Sequence, residues 1–299
     1  VRKYLLMMLV GMFIISGCSS YEAKSNESNG GTNKGSEQQQ DSRIISTTVA
    51  ATEIFDALEL DLVGVPTSYK KLPKRYEGVQ EIGNPMSPDM ELIKSLKPTE
   101  VYSVTTLKTD LGEMFKKVKI DASFLNLQSL ESMLDEITRL GETYNREEQA
   151  KTIVTDIRNR LAEIEAETKG EKAPTVLILL GVPGSYLVAT EHSYIGDLVK
   201  RAGGVNIVQG EDVEYLASNT EYLQQANPDI ILRAAHGMPE EVIKMFDEEF
   251  KTNDIWKHFN AVKNGRVYDL EERLFGTTGN LAVVEAMDEL MNMLYPNGE

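Results

Sequence analysis

The sequence predicts an α/β fold: two Rossmann-like lobes, each a mainly parallel sheet with helices packed on it, joined by one long helix. Three observations carry this expectation. Strand-like apolar runs alternate with helix-patterned segments from residue 43 onward, the rhythm of βαβ units. The stretch PDMELIKSLKPTEVYSV (88–104) is echoed without a gap by SNTEYLQQANPDIILRA (218–234), so that Glu91 and Pro98 fall on Glu221 and Pro228. Between the halves, REEQAKTIVTDIRNRLAEIEAETKG (146–170) contains no proline and no glycine before Gly170.

At 299 residues the chain has room for two domains, on the usual scale of about 100–200 residues each. Its first residues are not part of either. Arg2 and Lys3 precede an apolar run from Leu5 to Ile15, and small residues follow. That is the layout of a secretory signal, and the run is shorter than the ~20 residues that cross a bilayer. Ile15-Ser16-Gly17-Cys18 resembles the bacterial lipobox, which implies cleavage before Cys18 and acylation of its thiol, with palmitate among the lipids expected there. Cys18 is the sole cysteine, so no intrachain disulfide forms. SSYEAKSNESNGGTNKGSEQQQDS (19–42) holds almost no aliphatic residues; it buries too little apolar surface to offset ordering entropy and reads as a tether. The expected division is a signal peptide over 1–17, lipidated cysteine and tether over 18–42, an N-terminal lobe over 43–145, a connecting helix over 146–170 and a C-terminal lobe over 171–299.

Within the first lobe, RIISTTV (43–49) reads as a strand, ATEIFDALEL (51–60) as a helix and DLVGVP (61–66) as a short strand. TEVYSV (99–104) and ASFLNL (122–127) are further strands, and SLESMLDEITRLGETY (129–144) is a helix. In the connecting helix Ile153, Ile157, Leu161 and Ile164 fall on one side, and Glu147 with Lys151 is spaced to pair. If continuous, it spans about 35 Å at 1.5 Å per residue. In the second lobe PTVLILLG (174–181), SYLVAT (185–190), DIILRA (229–234) and RVYDL (266–270) are strand-like. Helices are expected after Ser193, near 239–250 and over about 280–294.

A net charge of −16, from 31 basic and 47 acidic residues, repels phosphates and argues against a nucleic-acid partner. No nucleophile–base set and no phosphate-binding glycine loop is present, which argues against an enzyme; Gly203-Gly204 follows a helix and reads as its stop. Attention falls instead on the strand ends, where open sheets collect ligands. His236, one of three histidines, stands just beyond DIILRA. On the other lobe Met86 sits between Pro85 and Pro88, whose rings stiffen the loop. A lone methionine more often fills a core, and a lone histidine at a strand end is more often hydrogen-bonded or solvated. As a pair facing one cleft from two lobes they suit haem iron, for which Met and His are good axial ligands. They do not suit Ca²⁺ or Mg²⁺, which want oxygen, nor Zn²⁺ or Mn²⁺, which call for more His and carboxylates. His258 is expected to be structural and His192 to cap a helix or be solvated.

Several segments together are similar to one family: PTSYK (66–70), GNPMSP (83–88), GVPGSYLVAT (181–190), SYIGDLVK (193–200), NPDIILR (227–233), HGMPEEV (236–242), NDIWKHF (253–259) and VYDLEE (267–272). From about residue 43 to the C-terminus the chain resembles the haem-receptor lipoproteins of the iron-regulated surface determinant type. These lie within the cobalamin/siderophore-type (class III) solute-binding proteins of ABC importers. The resemblance implies one haem b per chain as transported ligand, bound in the cleft between lobes with Met86 and His236 as axial ligands. It also implies haem contacts from Val49, Ala50, Ser68 and Tyr69. The free N–H groups where Val49-Ala50 open a helix suit a propionate, and Lys70 can add charge. Glu91 and Glu221 occupy the positions that meet arginines of the permease in other members of the class. The implied partners are haem, the membrane permease, upstream cell-wall haem carriers and the membrane through the lipid on Cys18. The protein is expected to be a monomer on the outer face of the cytoplasmic membrane. A receptor for an iron-siderophore or corrinoid on the same scaffold is the alternative.

Overall fold

The structure, a computed structural model, describes residues 42–217, 223 and 227–296. The expected signal, Cys18, the tether and Glu221 lie outside the described residues. The chain belongs to the α/β class as the alternation predicted, with two sheets on either side of a long helix.

The first sheet has the order β2-β1-β5-β6 and is wholly parallel, built from β1 (Ile44–Ser46), β2 (Leu62–Gly64), β5 (Glu100–Val104) and β6 (Ala122–Leu125). Both faces are covered. Ile44 and Tyr102 join one hydrophobic cluster with Ile54, Phe55 and Ile137, while Ile45 and Val101 join another with Ile93, Leu111 and Phe115. This two-residue alternation between two buried faces is why the strands read as near-continuous apolar runs. The helices doing the covering are α1 (Val49–Ala57), α2 (Met90–Ser95), α3 (Lys108–Lys117) and α4 (Leu130–Tyr144). The strand expected over 43–49 stops at Ser46. Thr48 adopts extended backbone and its hydroxyl accepts from Ala51 N–H, so the helix begins at Val49 rather than Ala51.

The second sheet runs β10-β8-β7-β11-β12, with β9 (Val205–Asn206) also on β7. Here β7 (Thr175–Val182) pairs in parallel with β11 (Ile230–Ala235), and β11 with β12 (Val267–Leu270). By contrast β8 (Ser185–Ala189) is antiparallel to both β7 and β10 (Tyr215–Ala217). Only Pro183 and left-handed Gly184 separate β7 from β8, and so short a link can close only a hairpin.

The internal echo survives in the described part of its second copy. Lys97 and Asn227 both take a positive φ, each precedes a proline, and each leads into the middle strand of a parallel triple, β1-β5-β6 or β7-β11-β12.

The connecting helix α5 spans Glu147–Thr168 and buries Ala150, Ile157 and Ile164 at heptad spacing, with Ile153 and Leu161 half-buried beside them. It packs on α4, on α6 (Tyr194–Arg201) and on the C-terminal helix, which covers Val283–Leu294 rather than starting near 280. Glu147 and Lys151 do not pair. The helix is tied instead by Arg158 to Glu131 of α4 and by Arg160 to Asp288 of the C-terminal helix. One hydrophobic cluster runs from Ile44 and Phe55 through Ile157 to Ile178 and Leu290, so the lobes share a core.

Candidate functional site

His236 follows the last residue of β11, and its N–H donates to Gly181 O at 2.9 Å. The ladder with β7 thus continues through the backbone of the histidine while its side chain leaves the sheet. Gly237 and Met238 both take left-handed backbone. This double turn redirects the chain into α7 (Pro239–Thr252), whose first residue is a proline. His236 is exposed, yet enough protein surrounds the imidazole for desolvation to lower its pKa from 6.5. The nearby Glu272 carboxylate opposes that shift and the Lys70 ammonium adds to it. Desolvation thus favours the neutral ring, the form whose nitrogen lone pair can bind a metal centre.

Met86 sits at the tip of a hairpin. Strands β3 (Gly83–Asn84) and β4 (Ser87–Pro88) pair through Gly83 with Pro88 and Asn84 with Ser87, leaving Pro85 and Met86 as the turn. Asn84 Oδ1 accepts from Met86 N–H at 2.9 Å, and Met86 is 67% exposed. An exposed thioether on a pinned two-residue turn is not core filler. The two residues are not topological equivalents. Met86 lies on a ribbon ahead of α2, whereas His236 ends the middle strand of its sheet.

The Pro66–Lys70 segment runs beside that ribbon, since Thr67 N–H donates to Gly83 O at 2.9 Å and Ile82 N–H to Val65 O at 2.9 Å. From it the exposed Tyr69 reaches the other lobe, and its hydroxyl donates to Glu272 Oε1 at 2.5 Å. Desolvation, together with this bond and the charge behind it, raises the phenol's pKa. The same Glu272 oxygen is 3.5 Å from Lys70 Nζ and accepts from Gly237 N–H at 3.4 Å. Glu272 is thus a carboxylate gripped from both sides, its side chain 8% exposed. Through it the Tyr69 loop and the His236 loop, far apart in sequence, meet.

Val49 and Ala50 are half-buried at the start of α1. Thr48 caps Ala51 N–H, which leaves the first two amides without intrahelical partners. One turn on, burial raises the pKa of Glu53, with Lys70 opposing; the start of α1 and the Tyr69–Lys70 loop therefore share one neighbourhood. Ser68 Oγ accepts from Lys70 N–H at 3.0 Å and shapes that loop. Glu91 is exposed in the first turn of α2, where Asp89 rather than Glu91 caps the helix. His192 and His258 are exposed. The cap of α6 is Ser193, not His192. Among the described residues no three His, Cys, Asp or Glu side chains converge as a metal site.

Nothing in the residue type singles out Glu272 in the sequence; its one signal is position, two residues beyond β12 and so at the same carboxyl end of the sheet as His236.

The fold and this two-sided site define a class. A family model for periplasmic binding proteins matches residues 44–274, and the chain belongs to that family. It is similar to the high-affinity heme uptake system protein IsdE of Staphylococcus aureus strain Newman, with 49% identity over 98% of this chain and 97% of the relative. Among solved structures it resembles an ABC transporter substrate-binding protein from Listeria monocytogenes EGD-e (TM-score 0.82, 58% identity, 86% of this chain and 100% of that one). It is equally close in fold to S. aureus IsdE complexed with heme (TM-score 0.82, 54% identity, 85% of this chain and 98% of that one).

Proposed function

We propose that this chain is the haem receptor of an ABC importer: it takes one haem at the cell surface and delivers it to a membrane permease. Haem is cargo here, and no bond is made or broken in it. The reading is carried by one observation, an exposed thioether on a pinned turn and an exposed imidazole just past a strand end, in a chain similar to a haem uptake protein over nearly its whole length.

In this reading Met86 and His236 ligate the iron from opposite faces. The amides of Val49 and Ala50 meet a propionate, the helix start favouring a carboxylate there, and Ser68 and Tyr69 line the same side. Filling both axial positions leaves the iron without an open site for oxygen chemistry, which suits transport rather than degradation. A Cys18 lipid and the tether after it hold the globule at the outer face of the membrane. Glu91 and Glu221 meet the permease, and cell-wall haem carriers supply the cargo.

Titration of the apoprotein with haem, followed by absorption, tests this. A six-coordinate low-spin spectrum is expected at one equivalent, altered by His236→Ala and by Met86→Ala separately. Wild-type spectra from both variants remove the ligand assignment. Displacement of haem by a ferric siderophore or a corrinoid would move the cargo to that class.

A further inference from the structure

Glu272 has a rigid support. The Glu271 carbonyl accepts from Leu274 N–H at 3.0 Å and Phe275 N–H at 2.9 Å, closing a turn whose apolar side chains are buried. Arg273 locks the turn to the C-terminal helix by a forked pair of bonds to Glu285 at 2.8 and 2.6 Å. From this support the carboxylate meets donors of both lobes. Tyr69 and Lys70 precede the connecting helix, and Gly237, adjacent to the imidazole, follows it. Gly237 lies in a left-handed turn with nothing within 4 Å of where a Cβ would stand; the His236 N–H bond to Gly181 holds the strand side of the loop, and the Gly237 N–H bond to Glu272 ties its tip to the first lobe's donors.

We infer that Glu272 is a positioning residue: it pins the His236 loop against the Tyr69–Lys70 loop, so that the imidazole is already placed when cargo arrives and is slow to swing away afterwards. The inference rests on the haem reading for its consequence but not for its mechanism, which belongs to the ligand-free protein. A pre-placed ligand spares the ordering cost that a loose loop would incur on binding. Glu272 does not touch the iron, so its loss alters how long cargo stays and not what ligates it.

Hydrogen exchange on the ligand-free protein tests the pin. Glu272→Ala is expected to speed exchange several-fold in peptides covering 66–71 and 236–241 and to leave the α4 peptides unchanged. Tyr69→Phe, a change at an exposed side chain that cannot unfold the core, should speed exchange at 236–241 across the lobe boundary. In the loaded protein Glu272→Ala should keep the low-spin spectrum while haem passes to a scavenger about tenfold faster, the scale of one lost charge-assisted hydrogen bond. Unchanged exchange at 236–241 in both variants overturns the inference, as does acceleration spread evenly over the second lobe. If the wild type gives no low-spin haem spectrum, the cargo assignment fails while the exchange data still decide the pin.

Discussion

An alanine at position 181 would overlap Cγ1 of Val242 and bring its Cβ to 2.7 Å from Cε2 of Phe246. Gly181 is the residue whose carbonyl receives the His236 N–H, so space and site meet at one backbone unit. The missing side chain lets α7 lie close on β7, and α7 begins at the turn that carries His236. Gly181→Ala is expected to cost about 1–3 kcal/mol, the usual range for overpacking a filled core. It should also push α7 outward and weaken haem binding without removing a single ligand. Chemical denaturation beside a haem titration checks both effects; unchanged stability with unchanged affinity would show that the helix gives way freely. The two candidate ligands stand out in the sequence because their chemistry is scarce. His236 is one of three histidines, and Met86 was set off by flanking prolines. Glu272 was hidden for the opposite reason, being one of 47 acidic residues, with nothing in its neighbours to say that its side chain is buried.

At the scale of elements, the strand that aims His236 is anchored at its other end. Asp229, just ahead of β11, accepts from both the N–H and the hydroxyl of Thr175 at 2.9 Å, and its own N–H donates to the same hydroxyl at 3.0 Å. This clamp sets β11 against the start of β7. The backbone bond from Thr175 lowers the Asp229 pKa below 3.8, with burial opposing and the Thr175 hydroxyl, Lys172 and Arg266 assisting. Because the folded-state pKa is depressed, the stabilisation is complete above the unfolded value and is lost as pH falls through the folded one. Asp229→Asn should therefore cost about 1 kcal/mol at pH 7, and the gap between variant and wild type should narrow once pH drops below about 4. Denaturation curves across pH 2–8 measure this; a gap that stays constant to the lowest pH excludes the clamp as its source. Elements were readable in the sequence where one physical cause dominates. The central strands β1, β5, β7 and β11 are buried on two faces and show as near-continuous apolar runs, and the uninterrupted pattern of α5 leaves no alternative to a helix. Ends were less readable. The Thr47–Thr48 pair is β-branched and extends a strand on propensity, yet the Thr48 hydroxyl serves a helix cap, a use that depends on the turn and not on the residue type.

For the molecule as a whole, the shared core and the 22-residue connecting helix make the lobes a stiff pair with limited freedom to close. In a molecule built this way the surface features of the two halves keep a set relative placement. That makes the expected permease contacts testable apart from cargo binding. Glu91 is exposed on the first turn of a helix whose cap is Asp89, so its carboxylate is not needed to start that helix. Against a net charge of −16, reversing one exposed charge barely changes the overall field, and any large effect must come from a specific contact. Glu91→Lys is expected to leave the haem spectrum and affinity as in the wild type while reducing haem-dependent growth on limiting iron by about tenfold, the order expected when one partner of a desolvated interfacial charge pair is reversed. Glu221→Lys should act alike, and the double variant should fall further if each carboxylate meets its own cation. Full uptake by Glu91→Lys would assign the helix start a purely structural role and move the docking surface elsewhere on the two lobes.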